Sequence, residues 1–399
     1  MILRMVFFLA IVSLVTGLAH LFLAHRLARS LTPPRRRLVY GLAALSAISL
    51  PVFIGGSRAL FAGDPGSPLA MLAFVHLGFF TLLYSSVLAW EILRGLALLV
   101  DRLGRGRQAQ GPIERALPVD PERRRALLGG LNLSLVGLAG AQSAAAMVGN
   151  QGPIKVVEVD VPIPELHPDL VGLRIVQLSD VHVGPMISGE FVREVVEVVN
   201  TLDADLVALT GDLVDGSVAE LGAHTAPLAE LRSRLGTWFC TGNHEYYSGA
   251  EAWCAEFERL GMVVLNNRHE VLRVGEAELV VAGVTDLSAD RILPAHAHDL
   301  DKAMEGAPRG DFRLLLAHQP RSVLGAPAHE IDLQLSGHTH GGQYFPGTVL
   351  IHLAHPYVRD LNLHEGRTWI YVSCGTGYWG PPFRLGSEAE ITLLRLVPG

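Results

Sequence analysis

Charge is what this sequence has least of. Only 18% of its 399 residues are Asp, Glu, Lys or Arg, against about a quarter in ordinary globular chains. Lysine is almost missing, at two positions, Lys155 and Lys302. The three cysteines, Cys240, Cys254 and Cys374, form no C-x-x-C pair, which excludes a disulfide framework and a zinc ribbon. Disorder is excluded as well, because 49% of the residues are hydrophobic. The few charges are unevenly placed. Residues 1–150 carry 15 Arg, no Lys and 6 acids, whereas residues 151–399 carry 15 Arg, 2 Lys and 33 acids, giving +9 and −16. The acidic C-terminal part argues against nucleic acid as a partner, since that calls for a basic face. Such a split describes a bilayer-attached protein with a separate polar domain.

A membrane-crossing helix needs about 20 mostly apolar residues. Within residues 1–100, runs at about 5–25, 38–60 and 69–90 meet that length and are apolar all round, which predicts three spans. Pro51 is tolerable in lipid at the cost of a kink. His20 and His76 fall inside the runs and are read as packing against neighbouring helices. A basic linker, 101–125, follows. Segment 126–148 is a weaker run rich in Gly and Ala. It has two readings. One is a fourth span packed through Gly137 and Ala141. The other is a twin-arginine-like export signal, with Arg123–Arg125 ahead of it and Ala139-Gly140-Ala141 as a cleavage site. The uncleaved span is the preferred one.

Arginine placement sets orientation. The loop after the first run holds Arg26, Arg29, Arg35, Arg36 and Arg37; the loop 61–68 holds no basic residue; the stretch after the third run is again Arg-rich. The first and third loops are therefore expected in the cytoplasm, and a fourth crossing would put everything beyond residue 150 on the extracytoplasmic side.

From residue 153 to 399 short apolar runs of strand length (Leu173–Leu178, Asp205–Thr210, Thr237–Thr241, Phe312–Ala317, Ile331–Ser336) occur with helical periods over Gly189–Leu202, Val218–Leu235 and Ala250–Leu260. Strands buried on both faces predict a layered, mainly parallel α/β core. The informative residues stand at the carboxyl end of each strand: Ser179-Asp180-Val181-His182, Gly211-Asp212-Leu213-Val214-Asp215, Gly242-Asn243-His244-Glu245, His318, and Gly337-His338-Thr339-His340. In open α/β sheets such carboxyl ends converge on the ligand crevice. Carboxylates and neutral imidazoles without thiolate suit manganese, iron or zinc. Seven donors are too many for one tetrahedral ion and fit two divalent ions sharing a carboxylate.

The order D-x-H, GDxxD, GNH[DE], a single His and GHTH resembles the calcineurin-like metallophosphoesterase superfamily over a motif core of about 173–343. Gly341-Gly342-Gln343, Val284-Thr285-Asp286 and the tail from Tyr371 through Arg384 resemble its membrane-tethered bacterial branch. The resemblance implies a four-layer αββα sandwich of two mixed sheets. It further implies a first metal on Asp180, His182 and His340, a second on Asn243, His318 and His338, and Asp212 bridging the two. His244 would serve as general acid, oriented by Asp215, while hydroxide generated at the metals attacks phosphorus.

Gly216 stands where phosphoprotein phosphatases usually have Arg, which counts against a phosphoprotein substrate. Arg384 is a candidate clamp for an anionic substrate, with a structural ion pair as the alternative. Cys240 is read as a buried free thiol, and a Cys240–Cys254 bridge would require an oxidising compartment. The function expected is a membrane-anchored hydrolase of a phosphate ester or pyrophosphate, lipid-linked or in the cell envelope. A non-catalytic membrane receptor using the sandwich to bind ligand is the alternative from another class.

Overall fold

The computed structural model describes residues 2–61, 67–105 and 120–399. Contacts divide the chain into two compact units, Met1–Leu60 with Leu72–Ala145, and Phe61–Met71 with Ala146–Gly399.

The first unit is helical. Its helices are α1 (Ile2–Ala28), α2 (Pro33–Phe61), α3 (Pro68–Arg105) and α4 (Pro121–Asn150). Among the described residues α1, α3 and α4 each contain a stretch long and apolar enough to cross a membrane. The run expected at 38–60 lies in α2, but its side chains from 51 onward fall outside the described residues, as does most of the linker (106–119). The weaker run, 126–148, is the body of one continuous 30-residue helix, with Arg123–Arg125 in its opening turns. Polar side chains in this unit find partners on other helices. His20 Nε2 and His76 Nε2 both meet Ser46 Oγ at 2.7 Å, so α1, α2 and α3 share one hydrogen-bonded node. Arg26 pairs with Glu91 and donates to Asn132 Oδ1 at 2.8 Å, while Asn132 Nδ2 donates to Leu27 O and Ser30 Oγ, tying α4 to α1 and α3.

The second unit holds two six-stranded mixed sheets. In chain order its elements are β1 (Lys155–Ile163), β2 (Arg174–Leu178), α5 (Gly189–Asn200), β3 (Leu206–Leu209), α6 (Val218–Thr225), β4 (Thr237–Phe239), α7 (Asn243–Ser248), α8 (Ala250–Arg259), β5 (Val263–Val264), β6 (Arg268–Val274), β7 (Ala277–Gly283), α9 (Leu300–Met304), β8 (Phe312–Leu316), β9 (Leu333–Ser336), α10 (Gly347–Leu350), β10 (Asp360–His364), β11 (Thr368–Val372) and β12 (Glu390–Pro398). One sheet runs β1-β12-β2-β3-β4-β5 and the other β10-β11-β9-β8-β7-β6. Strands β2 to β5 are parallel, as are β7, β8, β9 and β11. Antiparallel pairs (β12 with β2, β6 with β7, β10 with β11) make both sheets mixed rather than purely parallel.

Period-two alternation builds the layers. On β2, Ile175 points between the sheets and Val176 and Leu178 point to the helices; on β8, Leu314 and Leu316 face the other sheet while Leu315 faces outward to Val323 and Ala303. Helix α5 fits its place because Val192, Val195, Val196 and Val199 form one buried stripe, and Ser188 caps its first turn by accepting from Glu190 N. A capping box of Ser217 and Glu220 starts α6. Helices, sheet, sheet and helices form the four layers. All three cysteines are buried and free.

Candidate metal centre

Five strand ends deliver the site. Past β2 the chain turns through Asp180 and His182, past β3 through Asp212 and Asp215, past β4 into Asn243 and His244 at the start of α7, past β8 into His318, and past β9 into His338 and His340. These turns are held to one another by the backbone: Asp180 N donates to Gly211 O (3.0 Å), His182 N to Asp212 O (3.1 Å) and Gly337 N to His318 O (3.0 Å). Asp180, His182, Asp212, His338 and His340 all have φ between 51° and 69°. Left-handed backbone at non-glycine residues costs energy, and it concentrates where a site dictates side-chain direction. Gly211 and Gly242 let two loops touch. A Cβ at Gly211 would strike the backbone of Gly242 and lie 2.9 Å from His318 Nδ1, and one at Gly242 would overlap the Asp212 carboxylate.

Three groups of potential ligand atoms result, each within 4.8 Å: Asp180 with His182 and His340, Asp212 with His318 and His338, and His182 with Asp215 and His244. Imidazole nitrogens face each other, His182 Nε2 to His340 Nε2 at 3.1 Å and His318 Nε2 to His338 Nδ1 at 3.2 Å. Asp212 Oδ2 lies 3.0 Å from His318 Nε2. Asn243 is nearly buried and its Oδ1 has no hydrogen-bond partner. A buried carbonyl oxygen left unpaired is costly. An unpaired amide oxygen at one strand end and facing imidazole nitrogens at the neighbouring ends are the kind of donors a divalent cation would satisfy, so these residues fit the metals the motifs imply. His318 Nδ1 is engaged by Thr210 O at 2.8 Å, which fixes its tautomer and directs Nε2 to the centre.

His244 Nδ1 is hydrogen-bonded to Asp215, and its backbone N–H donates to Asp212 Oδ1 at 2.8 Å. Burial works against the His244 cation, but the charge of Asp212 and the bonded Asp215 carboxylate outweigh it and push the imidazole up to about 9. Burial likewise opposes the Asp212 and Asp215 anions, yet their histidine neighbours hold both carboxyls well below the usual range. For Asp212 those neighbours include His318, His244 and His182, which reach it from all three groups. His338 moves the other way, lowered to about 4 by burial and by the charge of His318.

Of the residues expected from the motifs, Asp180, His182, Asp212, Asp215, His244, His318, His338 and His340 are brought together, Asn243 opens α7 with its Oδ1 unpaired, and Arg384 is used elsewhere. Arg384 is fully buried, donating to Cys374 O (2.9 Å), Gly375 O (3.2 Å) and Gly377 O, so its guanidinium holds the loop whose Gly377 N donates to Asp180 O. Sequence reasoning missed other parts. Asp215 serves two imidazoles, since its Oδ2 also meets His182 Nδ1 at 3.2 Å. Glu245, fully buried, accepts from the backbone N–H of Asp212 (2.9 Å), Leu213 (2.7 Å) and Gly242 (2.7 Å), locking the third and fourth strand turns together. Its place in the GNHE motif was the available signal. Tyr247 and Trp379 pack edge-on against His244, with ring centroids 5.2 and 5.7 Å away; Trp379 lies in the tail singled out from the sequence, but neither ring was read as part of the site.

Carboxylates and imidazoles gathered in groups at the strand ends of a layered α/β sandwich define the class, a metal-dependent hydrolase. The family model of calcineurin-like phosphoesterases matches residues 173–342. A Danio rerio transmembrane protein with metallophosphoesterase domain is 36% identical over 331 residues, 81% of this chain and 72% of its own. Its Bos taurus counterpart is 36% identical over 364 residues, 82% and 79% of the two chains. An uncharacterized metallophosphoesterase of Helicobacter pylori J99 is 42% identical over 227 residues, 57% of this chain and 60% of its own. Among solved structures, a 5'-nucleotidase precursor of Thermus thermophilus aligns over 56% of this chain and 55% of its own, at TM-score 0.36 and 15% identity. The chain belongs to the calcineurin-like metallophosphoesterases, metal-dependent hydrolases of phosphate esters.

Proposed function

We propose that this chain is a multi-pass membrane phosphoesterase with two divalent ions, acting on a lipid-linked or cell-envelope phosphate ester or pyrophosphate on the extracytoplasmic side. Asp180, His182 and His340 would hold one ion and Asn243, His318 and His338 the other, with Asp212 shared between them. The observation that carries the reading is the pair of facing-imidazole sets at the strand ends, together with the buried, unpaired Asn243 Oδ1 at the start of α7. Bound there, divalent ions such as manganese, iron or zinc offset phosphate charge and lower the pKa of a water.

The protein's own groups supply the rest. Asp215 accepts from His244 Nδ1, which leaves Nε2 to carry a proton to the leaving oxygen. The same carboxylate keeps the His182 ring turned so that Nε2 faces the centre. Arg384 is a positioning residue behind Asp180 rather than a substrate clamp.

Residues 1–150 form the anchor, and 126–148 is its uncleaved fourth span. The bonds of Asn132 to α1 support that assignment. The full-length protein, purified from membranes, is expected to contain about two equivalents of divalent metal and to hydrolyse at least one member of a monoester, diester and pyrophosphate panel. Inactivity on the whole panel with metal bound would overturn the reading. A reporter fused after Gly399 should work only if it needs export, and protease added outside intact cells should reach the domain. A protected domain reverses the topology.

A further inference from the structure

The centre is bordered by apolar side chains that the chemistry above does not use. Val349, Leu350 and Leu353 are 60%, 54% and 86% exposed, on α10 and the turn after it, and no residue of Gly347–Leu353 is buried. This segment is rooted on the metal-ligand turn. Gly342 packs so tightly on Gly347 and Thr348 that a Cβ there would overlap them, and at its far end the His355 ring lies 5.1 Å from that of His338. On the His244 side Trp379 is 56% exposed. Gln343 joins the two borders: its Nε2 donates to Trp379 O (3.0 Å) and its Oε1 accepts from Trp379 N (3.0 Å). Charge is arranged to match. No Asp or Glu occurs between Asp332 and Asp360, in a domain that is otherwise strongly acidic.

Large apolar side chains clustered in the open at one functional edge mark a binding surface. A free phosphate ester has no use for one. An amphiphile does: its phosphate belongs at the charged centre and its hydrocarbon beside it. We infer that the exposed face of Val349, Leu350 and Leu353 is a subsite for the hydrocarbon tail of the substrate, so that the substrate class is a phosphate ester of an amphiphile. The inference rests on the phosphoesterase reading for the identity of the head group, and on the apolar border itself for the tail.

Full-length protein in nanodiscs of fixed lipid composition tests it. Wild type is compared on p-nitrophenyl methyl phosphate and p-nitrophenyl octyl phosphate, which share a leaving group and differ only in the tail. Calorimetric binding of methyl and octyl phosphate is measured in parallel, with empty nanodiscs subtracted. Wild type should favour octyl by roughly tenfold or more, in kcat/KM and in affinity, given the favourable transfer of each methylene. Leu350→Ser with Leu353→Ser should collapse that ratio to within about twofold of unity, most of the methylene transfer term being lost. Val271→Ser, at an exposed position on β6, should leave it unchanged. Equal treatment of methyl and octyl by wild type, or a double variant that keeps the octyl preference, overturns the subsite. Absence of hydrolysis by metal-loaded protein on both diesters and both monophosphates overturns the phosphoesterase reading instead, and the binding ratio then decides the tail subsite by itself.

Discussion

The two units treat polar groups in opposite ways. In the helical unit, polar side chains close on one another. His20 and His76 share Ser46, and Arg26, Glu91 and Asn132 complete a second node, with Gln142 Oε1 left unpaired among the described residues. At the metal centre the protein leaves Asn243 Oδ1 and His340 Nδ1 without partners and holds five residues in left-handed backbone. Paired polar groups hold helices together, whereas an unpaired buried oxygen and backbone strain gathered at one place are what a bound cation would offset.

That contrast can be broken most sharply at Asp212. Asp212→Asn should lose both ions and with them all turnover, while Asn243→Ala should weaken mainly the second ion. Metal stoichiometry near two in Asp212→Asn protein would remove the bridge. Next in size, His244→Ala should retain both ions yet lose about 10²–10⁴-fold in turnover, most on alkyl esters and least on nitrophenyl esters. A uniform loss across leaving groups would make His244 a charge stabiliser, and loss of metal would make it a ligand. Glu245→Gln turns an amide donor toward backbone N–H groups and loosens the turn carrying Asp212. Chelator competition should show metal affinity lowered by about 10–100-fold, and unchanged affinity would reduce Glu245 to a bystander. The smallest effect belongs to the helical unit: Ser46→Ala should lower thermal stability in nanodiscs by about 0.6–2 kcal/mol without altering kcat. A change in kcat would mean that the helical node acts on the site.

Much of this was legible because it is local. Five strand cores ended within about two residues of where their apolar runs end, and the ligands came directly after each run. What was hidden depends on contacts distant in sequence. The sheet that receives Asp180 and Asp212 is completed by β12, more than 200 residues after β1 and paired with it in register from Lys155–Glu390 to Ile163–Pro398. Asp215 reads from its motif as the partner of one imidazole, and only the fold brings His182 to its other oxygen. Arg384 illustrates the same limit, because nothing around it in sequence says that its guanidinium is consumed by carbonyls. Trp379 meets His244 across 135 positions of chain.

The place of β12 has a consequence for biosynthesis. Strand β1 has β12 as its one neighbour, and β12 separates β1 from β2. During synthesis β1 therefore waits, unpaired, until every other strand has been made. Helices form locally and early, so the helical unit can form while the catalytic domain is still an open chain. With a partner more than 200 residues further along the chain, β1 leaves that edge of the sheet open until late in synthesis, and the domain is completed only after the helical unit has formed.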